Sequence, residues 1–382
     1  MSDLIPVAQN LADALLRLAA RQHELMPAAG AAQAEIHAAA QDEPLLRAAG
    51  MLFFHDEDIA DLYVHVFISF LPLPAYIGAG IGGDLMHQFL PEGLHPQPKG
   101  YTREELLLAM QQEKILQATA VKCDERHALH VALGCCRGVI PREEAARGIL
   151  GGETRDIAIL SRVGRPVCFT VTGFAPDGTA LLSRRSAQEA ALEHIFRENR
   201  PGDILPVAVT GLAPFGAFCD IGCGAVGLLG LRDLCVSRLR HPGELLRVGQ
   251  RLPVALRSLE PVQRRVVLTL RELLGTWEEN AARFRAGQTV PGIVRAKTEY
   301  GVFIALTPNL CGLAERDDTL EPGQPVCVYI KAIHPETLKI KLTVLHRLDA
   351  LPPQPLVFTK TTGRLDVWRY GSREHAKIVT VF

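Results

Sequence analysis

Hydrophobic and polar residues alternate in short runs over most of the chain beyond residue 114, and glycine, aspartate and proline separate the runs. Alternation with a period of two is typical of half-buried β-strands, and closely spaced turn residues predict several short strands. The pattern falls into three segments, 101–190, 200–272 and 287–346. The sequence therefore predicts a mainly β molecule built from three consecutive units.

Helical patterns lie between these units and at the N-terminus. Thr102, followed by two glutamates, predicts a capped helix that ends near Gln112. We expect a second helix over 186–198 and a linker helix over 273–286, each joining one unit to the next. Residues 350–382 are predicted to form a C-terminal tail, stiffened at its start by three prolines.

Residues 1–85 differ from the rest of the chain. They are rich in alanine, with helical spacing over 7–22, and the uncharged run 63–83 is long enough to suggest a membrane span. Two prolines, several glycines and the lack of a preceding basic flank weaken that span. Residues 1–85 are thus expected to be a helical extension, or not to be native protein at all.

The second alternative comes from the string Gly-Gly-Asp-Leu-Met at 82–86. Codons for Gly-Gly-Asp can spell a bacterial ribosome-binding sequence just before an AUG, so Met86 is a candidate for the true start. The composition agrees, because no lysine occurs before Lys99. We expect a mis-assigned start at Met1, with a real helical extension as the alternative.

Two stretches 85 residues apart carry nearly the same sequence. Residues 215–222 read Phe-Gly-Ala-Phe-Cys-Asp-Ile-Gly, and residues 300–306 read Tyr-Gly-Val-Phe-Ile-Ala-Leu. An internal repeat of this kind defines the unit of folding. Successive side chains of a strand point to opposite faces, but a bulge or bend at Gly216, and likewise at Gly301, would bring both aromatic rings of a pair to the surface. We expect at least one exposed ring in each unit, and the alternative is that one ring of each pair fills the barrel.

The second unit continues with Ser-Arg-Leu-Arg-His-Pro at 237–242, Val-Gly-Gln at 248–250 and Arg-Val-Val-Leu-Thr at 265–269. With the stretch 215–222, these motifs resemble the S1 RNA-binding domain, a five-stranded OB-fold barrel. The resemblance covers 201–271 and 287–345 well and 114–185 less well. It departs at Gly230, where S1 domains usually carry a histidine on the binding face.

More narrowly, residues 86–382 resemble the S1-like RNA-binding proteins of clostridial-type bacteria, often called ribosomal protein S1. The segments that carry this likeness are 90–93, 138–144, 154–159, 273–280, 368–370 and 380–382. The resemblance implies tandem OB-fold barrels joined by short helices, in a cytoplasmic protein that binds single-stranded RNA, such as mRNA during translation.

In barrels of this class, bases stack on aromatic side chains of one face and cations follow the phosphates. The candidate RNA-binding residues are Phe215, Phe218, Arg264, Arg265, Tyr300, Phe303, Lys339 and Lys341. Alternation places Lys339 and Lys341 on one solvent-facing side of a strand. The first unit has His127 and His130 at the aromatic positions, so we expect it to be a docking or structural unit.

Charge and cysteine usage are compatible with this interpretation. Residues 1–85 hold 3 basic and 11 acidic residues, whereas residues 86–382 hold 38 and 31, so the repeat-bearing part is mildly basic. Nine cysteines without a CxxC pair predict buried thiols in a reducing compartment, with neither disulfides nor a zinc site. Cys219 and Cys223 flank a glycine turn without a second ligand pair nearby in the sequence, and metal binding is not expected there.

No catalytic, phosphate-binding or dinucleotide-binding motif occurs, so the chain is expected to be neither an enzyme nor dependent on a cofactor or metal. The expected partners are single-stranded RNA and the small ribosomal subunit, with no membrane and no small-molecule substrate. Two alternatives stay open. One is a ribosome- or protein-docking scaffold with vestigial RNA faces, and the other is an RNA-binding accessory of an RNA-processing enzyme.

Overall fold

The computed structural model of this 382-residue chain describes residues 89–95, 100–351, 355–372 and 378–382. The predicted helix at 7–22, the uncharged run at 63–83 and the candidate start at Met86 lie outside the described residues. Among the helices that are described, none is both long enough and apolar enough to cross a membrane.

Fifteen strands form three closed barrels of five strands each, which confirms the predicted tandem OB-type fold. The first contains β1 (Leu116–Cys123), β2 (Leu129–Ala132), β3 (Arg137–Ile140), β4 (Pro166–Phe174) and β5 (Ala180–Ser183). The second contains β6 (Ile204–Ala213), β7 (Gly216–Gly222), β8 (Ala225–Gly230), β9 (Arg251–Glu260) and β10 (Arg265–Thr269). The third contains β11 (Thr289–Thr298), β12 (Gly301–Thr307), β13 (Leu310–Ala314), β14 (Pro325–His334) and β15 (Lys339–Arg347).

All three barrels close in the same way. The third and fifth strands of each pair in parallel, and the other neighbours pair antiparallel. In β15, Ile340 and Leu342 are buried while Lys339 and Lys341 are exposed, which confirms the face predicted for the two lysines. Apolar residues at alternate positions thus fill each barrel, as the period of two requires.

Short helices lie between and beside the barrels. They are α1 (Arg103–Gln111), α2 (Arg142–Ala145), α3 (Ile157–Leu160), α4 (Arg184–Glu198) and α5 (Trp277–Ala281). Helix α1 has the predicted cap, because the Thr102 hydroxyl accepts a bond from the Glu105 N–H and the Glu105 carboxylate accepts one from the Thr102 N–H. Helix α4 begins two residues before the predicted 186, where Ser183 caps it.

The predicted linker helix over 273–286 is only partly helical. A 3-10 turn spans Arg271–Leu274 and α5 covers five residues, Trp277–Ala281. Gly275 separates them with φ of 84°, a left-handed conformation that interrupts a right-handed helix. The pattern of apolar residues continues across Gly275 and therefore predicted one helix, but the conformation of this glycine ends the 3-10 turn before α5 begins.

A buried ion pair joins the first two barrels to the segment 89–95. The Arg184 guanidinium donates to both carboxylate oxygens of Glu92, at 2.6 and 2.9 Å. The Glu92 N–H donates to buried Asp220 at 2.8 Å. Burial and the nearby Glu92 carboxylate raise the pKa of Asp220 to about 7. Burial alone would raise the pKa of Glu92, but the Arg184 charge holds it below its usual range, so Glu92 is the ionised partner of the arginine.

Asn309 joins the second and third barrels. Its side chain is fully buried and donates to the carbonyls of Arg271 at 2.8 Å and Gly275 at 2.7 Å. Its amide oxygen accepts a bond from the Val236 N–H at 3.0 Å. Because Asn309 belongs to the third barrel and its partners precede that barrel, these bonds fix one unit against the other.

The C-terminal tail packs across the same junction. It carries a two-stranded sheet of β16 (Val367–Arg369) and β17 (Val379–Val381). The Tyr370 hydroxyl donates to the Asn309 carbonyl at 2.5 Å, and the Tyr370 carbonyl accepts from the Trp277 N–H at 2.7 Å. The Leu365 N–H donates to the Gly202 carbonyl oxygen, in the second unit, at 2.9 Å. The tail is thus part of the packed structure that connects these two barrels.

We expect the variant Asn309→Ala to lower the free energy of unfolding by about 2 kcal/mol or more. It removes three hydrogen bonds, to the buried carbonyl of Gly275 and to the half-buried backbone groups of Arg271 and Val236. Urea unfolding of the full chain measures the change. Asn199→Ala, at the half-buried C-terminal end of α4, is the control and should change the free energy by less. Equal effects of the two substitutions would contradict the role given to Asn309.

Candidate nucleic-acid interface

Two aromatic rings stand side by side on the surface of the second barrel. Phe215 lies in the turn that precedes β7, and Phe218 lies within β7. Phe215 is 59% exposed and Phe218 is 37% exposed. Their ring centroids are 5.8 Å apart with the planes at 88°, an edge-to-face pair. Both rings therefore offer surface to a ligand, as the repeat predicted.

The predicted reason for this exposure, a bulge at Gly216, was wrong. The bulge lies on the neighbouring strand β6, between Val209 and Gly211. Phe215 is exposed because it belongs to the turn, where strand alternation does not apply. Gly216 has a different role: a Cβ there would lie 2.4 Å from the Leu229 carbonyl oxygen. Only glycine permits this close approach of the two backbones.

The third barrel repeats the arrangement. Tyr300 lies in the turn before β12 and is 78% exposed, and Phe303 in β12 is 37% exposed. Gly301 has φ of 139°, and a Cβ there would lie 2.2 Å from the Ala314 carbonyl oxygen. The bulge again lies on the preceding strand, between Val294 and Ala296. The two barrels thus present aromatic pairs from equivalent positions.

The strand register places Lys341 in line with the aromatic pair of the third barrel. Phe303 pairs with Leu313, and Leu313 pairs with Lys341 on the next strand. Since neighbouring strands lie about 4.8 Å apart, the lysine is about 10 Å from Phe303 across the barrel surface. Lys339 is the preceding outward residue of β15. A cation therefore stands where the phosphate of a base stacked on Phe303 can lie.

The second barrel has fewer cations in line with its aromatic pair. Phe218 pairs with Leu228, and Leu228 pairs with Val267, so an aliphatic residue occupies the position of Lys341. Arg265 is the preceding outward residue and is the counterpart of Lys339. Its side chain is 62% exposed, with a guanidinium nitrogen 3.9 Å from a Glu260 carboxylate oxygen.

The structure turns Arg264 toward the first barrel. One of its guanidinium nitrogens lies 3.8 Å from the Glu193 carboxylate on α4, and its Nε and Nη2 are buried without a hydrogen-bond partner. Its φ of 48° directs the chain around the hairpin between β9 and β10. Of the four predicted cations, Arg264 is half-buried against the first barrel, whereas Arg265, Lys339 and Lys341 are exposed to solvent.

Two hollows adjoin the aromatic pairs. One, of about 340 Å³, lies between Phe215 and the segment 230–233. Gly230, at the position where S1 domains usually carry a histidine, is one of the residues that line it. The other, of about 330 Å³, lies between the second and third barrels and is lined by Phe303, Arg238 and Tyr370. The volume of each hollow exceeds that of a single nucleobase.

Arg238 was missed as a candidate residue. It is exposed and lines the hollow beside Phe303, although it belongs to the loop between β8 and β9 of the preceding barrel. The motif at 237–242 marked this loop as part of the S1 resemblance. Only the packing of the second barrel against the third brings this residue to the hollow that Phe303 also lines.

The first barrel holds histidines at the equivalent positions, and both contact carboxylates. His130 occupies the position of Phe218 and Phe303, and its Nε2 lies 3.0 Å from Asp124 Oδ2. The hydrogen bond from His130 holds the pKa of Asp124 below its usual range. The His127 Nδ1 lies 3.7 Å from Asp156. These acidic partners disfavour phosphate, and the two histidines replace the phenylalanine and tyrosine rings that the other barrels present on this face.

Comparison with known proteins agrees with this geometry. Residues 198–271 match the family model described as S1 RNA binding domain. The small ribosomal subunit protein bS1 of Staphylococcus aureus (strain COL) is 27% identical over 198 residues, which is 47% of this chain and 50% of that protein. The bS1 protein of Rhizobium meliloti is 27% identical over 189 residues, 45% of this chain and 33% of that protein.

The chain thus spans about half the length of its staphylococcal relative. A solved multidomain protein with nucleic acid binding domains from Streptococcus pneumoniae TIGR4 aligns over 62% of this chain and 75% of its own, at 14% identity and a TM-score of 0.22, too low to carry weight. The family model covers the whole second barrel and both of its exposed aromatic residues. The second barrel, within residues 198–271, therefore belongs to the S1 RNA-binding domain family.

Proposed function

We propose that this protein binds single-stranded RNA along the outer faces of the second and third barrels. The observation that supports the proposal most is the duplicated pair of exposed rings, Phe215 with Phe218 and Tyr300 with Phe303. Exposed aromatic residues at equivalent positions of two barrels are not required by either core. A base stacked on such a ring contributes about 1–3 kcal/mol.

Single-stranded RNA is the nucleic acid that fits this surface. The rings bind the flat faces of bases, which are covered by neighbouring bases in a duplex. Every base has such a face, so we expect weak sequence preference. Lys339, Lys341, Arg265 and Arg238 stand near the rings and are suited to contact phosphates. Few cations are involved, and the affinity should depend more on stacking than on charge.

A role in translation is the finer part of the proposal. The relatives named above are small ribosomal subunit proteins, and residues 198–271 of this chain match the S1 RNA binding domain model. We therefore propose mRNA as the natural RNA and the small ribosomal subunit as a partner. The first barrel, whose histidines are paired with carboxylates, is proposed to dock onto a partner rather than to bind RNA.

The direct test is fluorescence anisotropy of a labelled, unstructured RNA of about 20 nucleotides, since one OB fold covers roughly 4–16. Unlabelled single-stranded RNA should compete for the full chain, and an RNA duplex of the same length should compete poorly. No binding, or equal competition by the duplex, would refute the proposed function. A protein that binds no RNA but sediments with small subunits after nuclease treatment would instead be a ribosome-docking scaffold.

A salt series tests the lysines. Each phosphate contact on a single strand contributes about −0.7 to the slope of log affinity against log salt. We expect Lys339→Gln with Lys341→Gln to make the slope shallower by about 1.4. The double variant Lys114→Gln with Lys360→Gln removes the same charge from exposed lysines elsewhere and should leave the slope nearly unchanged. If both pairs change the slope equally, the effect reflects net charge and not contact.

A further inference from the structure

Three side chains with metal-binding atoms converge at the junction of the first two barrels. They are His95 in the N-terminal segment, Cys168 in β4 and Cys223 in the turn after β7. A ring nitrogen of His95 and the two sulfur atoms all lie within 4.8 Å of one another. Cys168 and Cys223 are fully buried, and His95 is half-buried. Three separate parts of the chain thus bring one imidazole and two thiols together.

The orientation of His95 is fixed by its second nitrogen. Its Nε2 lies 2.7 Å from the Leu90 carbonyl oxygen. A carbonyl can only accept, so Nε2 carries the hydrogen, and in the neutral imidazole Nδ1 then keeps its lone pair. A histidine that ligates a metal commonly donates its other N–H to a backbone carbonyl in this way. The Cys223 N–H donates to the same carbonyl at 2.9 Å, which holds both ligands in place.

We propose that His95, Cys168 and Cys223 bind a zinc ion. One imidazole nitrogen and two thiolates are a ligand set suited to zinc, and the two thiolate charges balance the divalent ion in a buried site. The Gln117 amide oxygen, 3.8 Å from the Cys168 sulfur, or a water molecule can complete four ligands.

The role of such an ion would be structural. Its ligands come from the first barrel, the second barrel and the segment before both, so binding would hold these three parts together. The ion would lie beside the Glu92–Arg184 pair, at the same junction. Its effect is therefore expected on stability and on metal content, independently of RNA binding.

Zinc content of the full chain, purified with a reductant and dialysed after zinc is supplied, tests the proposal. We expect about one zinc ion per chain. Cys168→Ser and Cys223→Ser should each lower the zinc content at least about tenfold, because they remove a ligand. Cys327→Ser, a half-buried thiol in β14 of the third barrel, is the matched control and should keep the zinc.

Two measurements on the unaltered chain keep the test decisive if the serine variants fold poorly. Cobalt in place of zinc should give thiolate-to-metal charge-transfer absorption, and a chelator should lower the midpoint of thermal unfolding. A chain without bound zinc or the cobalt spectrum would overturn the proposal. Zinc retained by a folded Cys223→Ser variant would also overturn it. A third contrary result would be a Cys168–Cys223 disulfide in a chain that, once reduced, takes up no metal.

Discussion

Replacing Phe215, Phe218, Tyr300 and Phe303 together with alanine is expected to weaken binding of single-stranded RNA by at least about a hundredfold. Each ring can support one stacked base worth about 1–3 kcal/mol, and each 1.4 kcal/mol is a factor of ten in affinity. The fold should persist, because the four rings are 37–78% exposed and leave the barrel cores unchanged. Fluorescence anisotropy measures the affinity, and circular dichroism checks the fold.

Tyr329→Ala is the matched control for this variant. Tyr329 lies on β14 of the third barrel and is 38% exposed, like Phe303, but β14 is not adjacent to β12 in the barrel. It should bind RNA as the unaltered protein does. Two double variants, Phe215→Ala with Phe218→Ala and Tyr300→Ala with Phe303→Ala, show how much of the lost affinity each barrel contributes. Unchanged affinity in a folded fourfold variant would rule out stacking on these rings and favour the docking scaffold.

Arg184→Met is expected to lower the free energy of unfolding by about 3–5 kcal/mol. The substitution keeps much of the buried volume but removes the guanidinium that satisfies both oxygens of Glu92. The Glu92 carboxylate would then remain buried with Arg162, 3.5 Å away, as its remaining ion-pair partner, and the nearby Asp220 would add to the cost of its charge. Loss of one member of a buried ion pair typically has this effect. Urea unfolding measures it.

The adjacent arginine supplies the control. The Arg185 side chain is 36% exposed and pairs with Glu144 and Glu189 at the surface. Arg185→Met should cost about 1 kcal/mol or less, because water solvates the remaining carboxylates. Restoring neutrality with Glu92→Gln in the Arg184→Met background should recover part of the loss. If the two single variants are equally stable, the Glu92–Arg184 pair does not hold the junction.

The aromatic pairs were predictable from sequence, but the reason for their exposure was not. Repetition of Phe-Gly-Ala-Phe as Tyr-Gly-Val-Phe marked the same four rings that the structure exposes. Whether Phe215 belongs to a strand or to the turn before it depends on where the hairpin closes. That point is set by register with β6, including its bulge, and such pairing between strands is not encoded in the local pattern.

The positions of the cations were predictable from sequence only in part. Alternation along β15 correctly placed Lys339 and Lys341 on the exposed face. Arg264 was predicted together with Arg265 as a cation near the closing strand of the second barrel, yet Arg264 turns toward Glu193 on α4. Arg238 approaches the third barrel although it precedes Phe303 by 65 residues. Periodicity describes the two faces of one strand, whereas these arginines are placed by contacts between units.

The sequence by itself determined the strands, their repetition and the exposed rings, because these depend on residues close together in the chain. Only the tertiary structure decided what lies at the junctions. The Glu92–Arg184 pair joins residues 92 positions apart, Asn309 binds residues of the preceding unit, and Cys168 meets Cys223 without a recognisable spacing. Such partners are chosen by the packing of one barrel on another, and the contacts that fix this packing are buried side chains from distant segments.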